Sequence, residues 1–149
     1  MDKPMHGPQL LPPNQWPEAD AVRELLQADL DRTLVNPPRL ALFVQSSAMG
    51  AIVFIGASDY YYGSGGVWVD AQGRPRDGNL ADLLAAELQD ALADGMFGRH
   101  VSWPDCVLHG QPLRLDTTVD EAGLWVCESN SPHIVGRLGE LSLFKTTHQ

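Results

Sequence analysis

RLALFVQSSAMGAIVFIGA, residues 39–57, holds two apolar runs, 39–46 and 51–57, on either side of a short polar break. Leu, Val, Ile and Phe dominate both runs, which is the composition of β-strands. The break is too short for a crossover, so the runs pair as an antiparallel hairpin. Nearly every residue in them is apolar. Such strands are covered on both faces, or have one face buried and the other at an interface.

The elements on either side follow from this hairpin. Upstream, Asn36-Pro37-Pro38 ends a helix predicted over 17–34, since proline cannot continue one. Pro17 suits the first helical turn, and Glu18 and Asp20 suit the positive end of the dipole. Val22, Leu25, Leu26, Leu30 and Leu34 fall on one face. Residues 1–15 carry four prolines and no periodicity, and read as a flexible arm. Trp16 stands where that arm meets the core.

Downstream, residues 58–66 form a loop, 66–71 a third strand and 72–78 a turn. A second helix spans 80–94, with Asn79 as its N-cap and Gly95 past its end. The last third reads as a hairpin of 112–119 and 124–127 around the turn 120–123. A final strand pair, 134–138 and 141–144, flanks Gly139. The fold class is therefore α+β: two amphipathic helices packed on a mainly antiparallel sheet, with a C-terminal β-hairpin resembling a degenerate zinc ribbon. Residues 16–149 form a single domain, and the hairpin module occupies about 100–145.

The 149 residues are 44% hydrophobic, enough to bury a core. No apolar run reaches the ~18 residues of a membrane span, and the N-terminus lacks the apolar stretch of a secretory signal. These features point to the cytoplasm. Nineteen acidic and ten basic residues leave a net charge of −9, a field that repels a phosphate backbone. Neither nucleic acid nor membrane is expected as a partner.

Two cysteines do not make a disulfide framework. Cys106 and His109 form C-x-x-H, and Cys127 follows after 17 residues. A zinc ribbon pairs ligands on a tight turn and separates the pairs by a hairpin of roughly 15–20 residues. Thiolate and imidazole suit zinc's tetrahedral preference. Position 130, the expected fourth ligand, is Asn130. His133 can bend back into the vacant place, and His100 is the next candidate. With four protein ligands the zinc is structural. Against this stands the plain alternative of two small buried thiols and a histidine on a turn.

The stretches W-P-D-C-V-L-H-G-Q-P-L, L-W-V-C and V-G-R-L-G-E-L carry a resemblance. Together they resemble the C-terminal end of a group of small uncharacterised bacterial proteins with the motif W-P-x-C-x-x-H-x-x-P-L … W-x-C. The likeness covers about residues 80–142. It picks out Trp103, Pro104, Cys106, His109, Pro112, Leu113, Trp125 and Cys127. Val107, Gln111 and Glu128 depart from the group's proline, second histidine and proline. The resemblance implies no activity.

Other chemistry is poorly supported. Asp105 beside Cys106 puts a negative charge where a catalytic thiolate wants a positive one. Ser46 and Ser47 lack a G-x-S-x-G elbow, and Gly63-Ser64-Gly65-Gly66 precedes a strand and has no Walker lysine. Tyr60, Tyr61 and Tyr62 form a candidate binding edge. The expectation is a non-catalytic protein acting through protein–protein contacts, with a protein partner or as a homodimer. The alternative is an acidic inhibitor- or immunity-type protein that neutralises a basic partner. It requires Asp29, Asp31, Asp77, Asp82, Glu87, Asp90 and Asp94 to gather on one face. A thiol-dependent enzyme ranks last.

Overall fold

The computed structural model describes residues 8–12, 14–57 and 66–141. In chain order the elements are β1 (Gln9–Leu10), α1 (Pro17–Thr33), β2 (Leu40–Ser47), β3 (Gly50–Ala57), β4 (Val67–Val69), α2 (Leu80–Ala93), β5 (Arg114–Asp116), β6 (Leu124–Cys127) and β7 (His133–Arg137). They form an α+β fold with two antiparallel sheets, ordered β1-β2-β3-β4 and β5-β6-β7. The C-terminal strands thus close as a sheet of their own.

The 39–57 hairpin forms as its sequence requires. β2 and β3 pair in unbroken register from Leu40↔Ala57 to Ser47↔Gly50. Alternation then sorts their side chains onto two faces. Leu40, Leu42, Ala51, Val53 and Ile55 join the main core, while Ala41, Phe43 and Phe54 form a second buried cluster on the other face. Both faces are therefore apolar and covered, which accounts for the absence of polar alternation. The arm also contributes: Gln9 and Leu10 pair with β2, and Leu11 is buried. Two residues are too few to leave a strand signal in the sequence.

The α1 stripe packs through Leu26, Leu30 and Leu34, all fully buried. At about 1.5–3 kcal/mol for each large aliphatic side chain, these three anchor the helix. Leu25 departs from the expected core face and is 37% exposed. Its side chain instead covers the turn at Gly139, where a Cβ would sit 2.4 Å from Leu25 Cδ2 and φ is +88°. Gln27 latches α1 to the hairpin: its amide donates to the Pro38 carbonyl at 2.9 Å and accepts from Leu40 N–H at 2.7 Å. α2 begins at Asn79, whose side chain accepts from Ala81 N–H, and buries Leu84, Leu88 and Leu92.

The two sheets are joined through the helices. Gln89 on α2 donates to the Leu113 carbonyl, and Thr117 donates to Asp82. The deepest tie is Asp29, fully buried on α1. Its Oδ2 accepts from Trp125 Nε1–H at 2.9 Å and Gly139 N–H at 2.8 Å, and its Oδ1 accepts from Leu141 N–H at 3.0 Å. Burial pushes this carboxyl above its ordinary range, and the donors from Gly139, Trp125 and Leu141 hold the rise in check. Asp29 is thus an interior residue and drops out of the acidic set named above. Of the last expected strand pair, the first arm is β7. Leu141 is buried outside any strand, and 142–144 lie outside the described residues.

Asp29→Asn sets an amide N–H₂ against a backbone donor while keeping the volume. The expected cost is about 1–3 kcal/mol, that of a buried unsatisfied group. A urea or thermal unfolding midpoint unchanged from the parent would refute the assignment.

Candidate metal centre

Two local structures bring the ligands together. The first is a tight turn over 104–113. Cys106 N–H donates to the Gln111 carbonyl at 2.8 Å, Gly110 N–H to the Cys106 carbonyl at 2.7 Å, and Leu113 N–H to the Pro104 carbonyl at 2.6 Å. Asp105 and Pro112 bridge at its base. Gly110, immediately after His109, takes φ +69°, a left-handed conformation that glycine adopts at little cost. The chain thereby reverses, and Cys106 and His109 turn to one side. The Trp103–Pro104 peptide is cis.

The second structure is the β6–β7 pair. Cys127 ends β6 and His133 begins β7, directly across from it. Opposite residues on antiparallel strands share a face. A bulge between Trp125 and Val126 decides the register: Trp125 faces Gly136, but Val126 faces Ile134. That one-residue slip puts His133, and not Ile134, opposite Cys127.

The four donor atoms of Cys106, His109, Cys127 and His133 all lie within 4.8 Å of one another. His109 Nδ1 is 3.5 Å from Cys106 Sγ and 3.4 Å from Cys127 Sγ. His133 Nε2 is 3.6 Å from Cys106 Sγ. Zinc–sulfur bonds of ~2.3 Å and zinc–nitrogen bonds of ~2.0–2.1 Å place S and N about 3.5–3.6 Å apart across a tetrahedral angle. The observed separations match those edges.

Supporting contacts orient the donors. His133 Nδ1 is 2.9 Å from the Ser131 carbonyl. A carbonyl only accepts, so Nδ1 carries the proton and Nε2 is left free for a metal. Hydrogen bonding from Ser129, chiefly from its hydroxyl, pulls the Cys127 thiol below its ordinary range, and Cys106 adds to this. A lowered thiol pKa favours the ligating thiolate. Trp103 and Trp125 meet edge to face with centroids 5.5 Å apart. Trp103 Nε1–H donates to Thr33 Oγ1 at 2.7 Å. Both tryptophans of the motif are therefore fixed to α1.

Burial is asymmetric. Cys106 and Cys127 are 2% and 0% exposed, while His109 is exposed and His133 half-buried. His100, the reserve ligand, lies elsewhere: its Nδ1 bonds the Ala93 carbonyl. Gln111, where the resembled motif has a second histidine, is exposed and supplies its backbone carbonyl. Tyr60, Tyr61 and Tyr62 lie outside the described residues. A cleft of about 680 Å³ opens between β4 and α2 and contains none of the four ligand residues. There, burial and the charge of Asp90 push the Glu87 carboxyl up.

Sequence reasoning set Asp29 in an acidic surface group and so missed its interior role; it missed Ser129 and Ser131 altogether. Asp29 left a signal, since it falls three residues after Leu26 on the apolar stripe of α1. The serines left none. Among the comparisons, no family model, no curated protein and no solved structure matches the chain.

Cobalt(II) titrated into the reduced protein should give the visible bands and thiolate charge transfer of a tetrahedral site. His133→Ala should weaken uptake by at least about tenfold. Binding displaces thiol protons, so affinity should fall as pH is lowered; a pH-independent isotherm would contradict thiolate ligation.

Proposed function

We propose that Cys106, His109, Cys127 and His133 hold a structural Zn²⁺ that pins the C-terminal module, and that the protein acts in the cytoplasm through protein–protein contact. The observation that carries the metal reading is the set of S···N separations, 3.4–3.6 Å, at the edge length of a zinc tetrahedron. Two thiolates neutralise the ion's double charge, so the complex can sit against the core at low electrostatic cost. Protein side chains fill all four positions, which makes the role structural. The small bacterial proteins with the related motif belong to the same reading.

The contact half rests on what the turn displays. Val107 and Leu108, the two residues between the ligands, are 57% and 77% exposed, and Ile134 beside His133 is 60% exposed. Apolar side chains held out on a metal-pinned turn are suited to an interface core. The favoured occupant is a second copy of the chain or a protein partner.

Purified protein should contain one zinc per chain, lost in Cys106→Ser and Cys127→Ser. Light scattering should show an assembly that Leu108→Glu dissociates without releasing zinc. Metal-free protein would overturn the first half; a monomer unaffected by Leu108→Glu, with no partner recovered in pull-downs, would overturn the second.

A further inference from the structure

The ligand set contains both cysteines of the chain, and both are free thiols. Their donor atoms lie within the same 4.8 Å cluster, each within 3.5 Å of His109 Nδ1. We infer that the centre is a peroxide-released one: a hydroperoxide oxidises the two ligand thiolates to a Cys106–Cys127 disulfide, and the metal leaves. This rests on the structural-metal reading above.

The chemistry closes without another reactant. One thiolate attacks the O–O bond and keeps one oxygen as a sulfenic acid; the other oxygen leaves as hydroxide and takes a proton. The second thiolate then attacks that sulfur, forms the S–S bond and expels a second hydroxide, which is also protonated. Two thiolates, one hydrogen peroxide and two protons become one disulfide and two waters. The sulfurs lose two electrons and the peroxide gains them. Two imidazoles remain, too few to hold the ion in a four-ligand site.

The geometry selects this outcome over its competitors. Both sulfurs are almost fully buried, which keeps another chain's sulfur away. The sulfenic acid forms with a second sulfur already in the same cluster, so disulfide closure competes well with further oxidation. Access runs through His109, the exposed ligand whose Nδ1 touches both sulfurs. Rotation of that side chain removes the one ring nitrogen seen against both sulfurs, while His133 Nε2 stays 3.6 Å from Cys106 Sγ. The disulfide would then tie the 104–113 turn to β6 where the metal had tied it, exchanging one cross-link for another.

The test uses the full zinc-loaded chain and hydrogen peroxide, with zinc release followed by a chromogenic chelator. Trypsin cuts after Arg99, Arg114 and Arg137, placing Cys106 in peptide 100–114 and Cys127 in peptide 115–137. The expected result is one zinc released per chain, those two peptides linked under non-reducing conditions, and recovery of binding after dithiothreitol and zinc. His109→Ala should speed thiol oxidation severalfold by mass, whether or not it retains zinc; an unchanged rate would remove His109 as the gate. Zinc retained in excess peroxide, or released with sulfinic acids and no linked peptides, would overturn the inference while leaving the structural site standing. Reduced protein that takes up no zinc, seen before peroxide is added, would overturn both.

Discussion

The buried carboxylate of Asp29 organises the molecule. A charge in the interior is tolerated only when its lone pairs are engaged, and here three donors from the far end of the chain engage them. Arg32, its helix neighbour, adds a longer ion pair at 3.9 Å and donates to the Gly139 carbonyl. One turn on from Asp29, Thr33 accepts from Trp103 and donates to the Asp29 carbonyl. α1 therefore presents a polar ladder on an otherwise apolar face, and the C-terminal sheet is hung on it. Removing the carboxylate leaves three inward-pointing donors with nothing to bond, which is why the residue is structural despite its charge.

The same ladder reaches the candidate metal centre. Trp125 stands two residues before Cys127 on the same face of β6, and Trp103 stands three residues before Cys106. Each tryptophan is held by a hydrogen bond to α1 while its ring packs against the other. The chain segments that carry the sulfurs are thus tied to α1 through neighbouring tryptophans, while His109 is exposed and His133 half-buried. Preorganisation of this kind lowers the ordering cost a metal would otherwise meet on binding. The four candidate ligands divide by burial, with the two cysteines inside and the two histidines toward solvent.

Elements with strong local signals were legible in the sequence. The proline stop after α1, the Asn79 cap and the two apolar runs of 39–57 each specify their own conformation, and those elements formed within a residue or two of their expected ends. Cys106, His109 and Cys127 were legible for the same reason: a two-residue gap and a hairpin length are local facts. His133 was harder, because its place depends on a bulge between Trp125 and Val126 that no residue type announces. The closure of the C-terminal strands as a separate sheet was not legible either. It depends on long-range ties from α1 and α2, made by residues such as Asp29 and Gln89 whose partners lie far along the chain. Leu25 shows the limit of periodicity, which marked it for the core when its task is to cover a glycine turn.

The spacing of the Asp29 contacts has a consequence for biosynthesis. Its partners stand 96, 110 and 112 residues further along. At ribosomal rates the emerging helix waits roughly 5–20 seconds for them. During that interval the carboxylate remains hydrated, and the helix it belongs to stays only loosely committed. Final closure around the carboxylate is thereby deferred to the moment the last donors leave the exit tunnel.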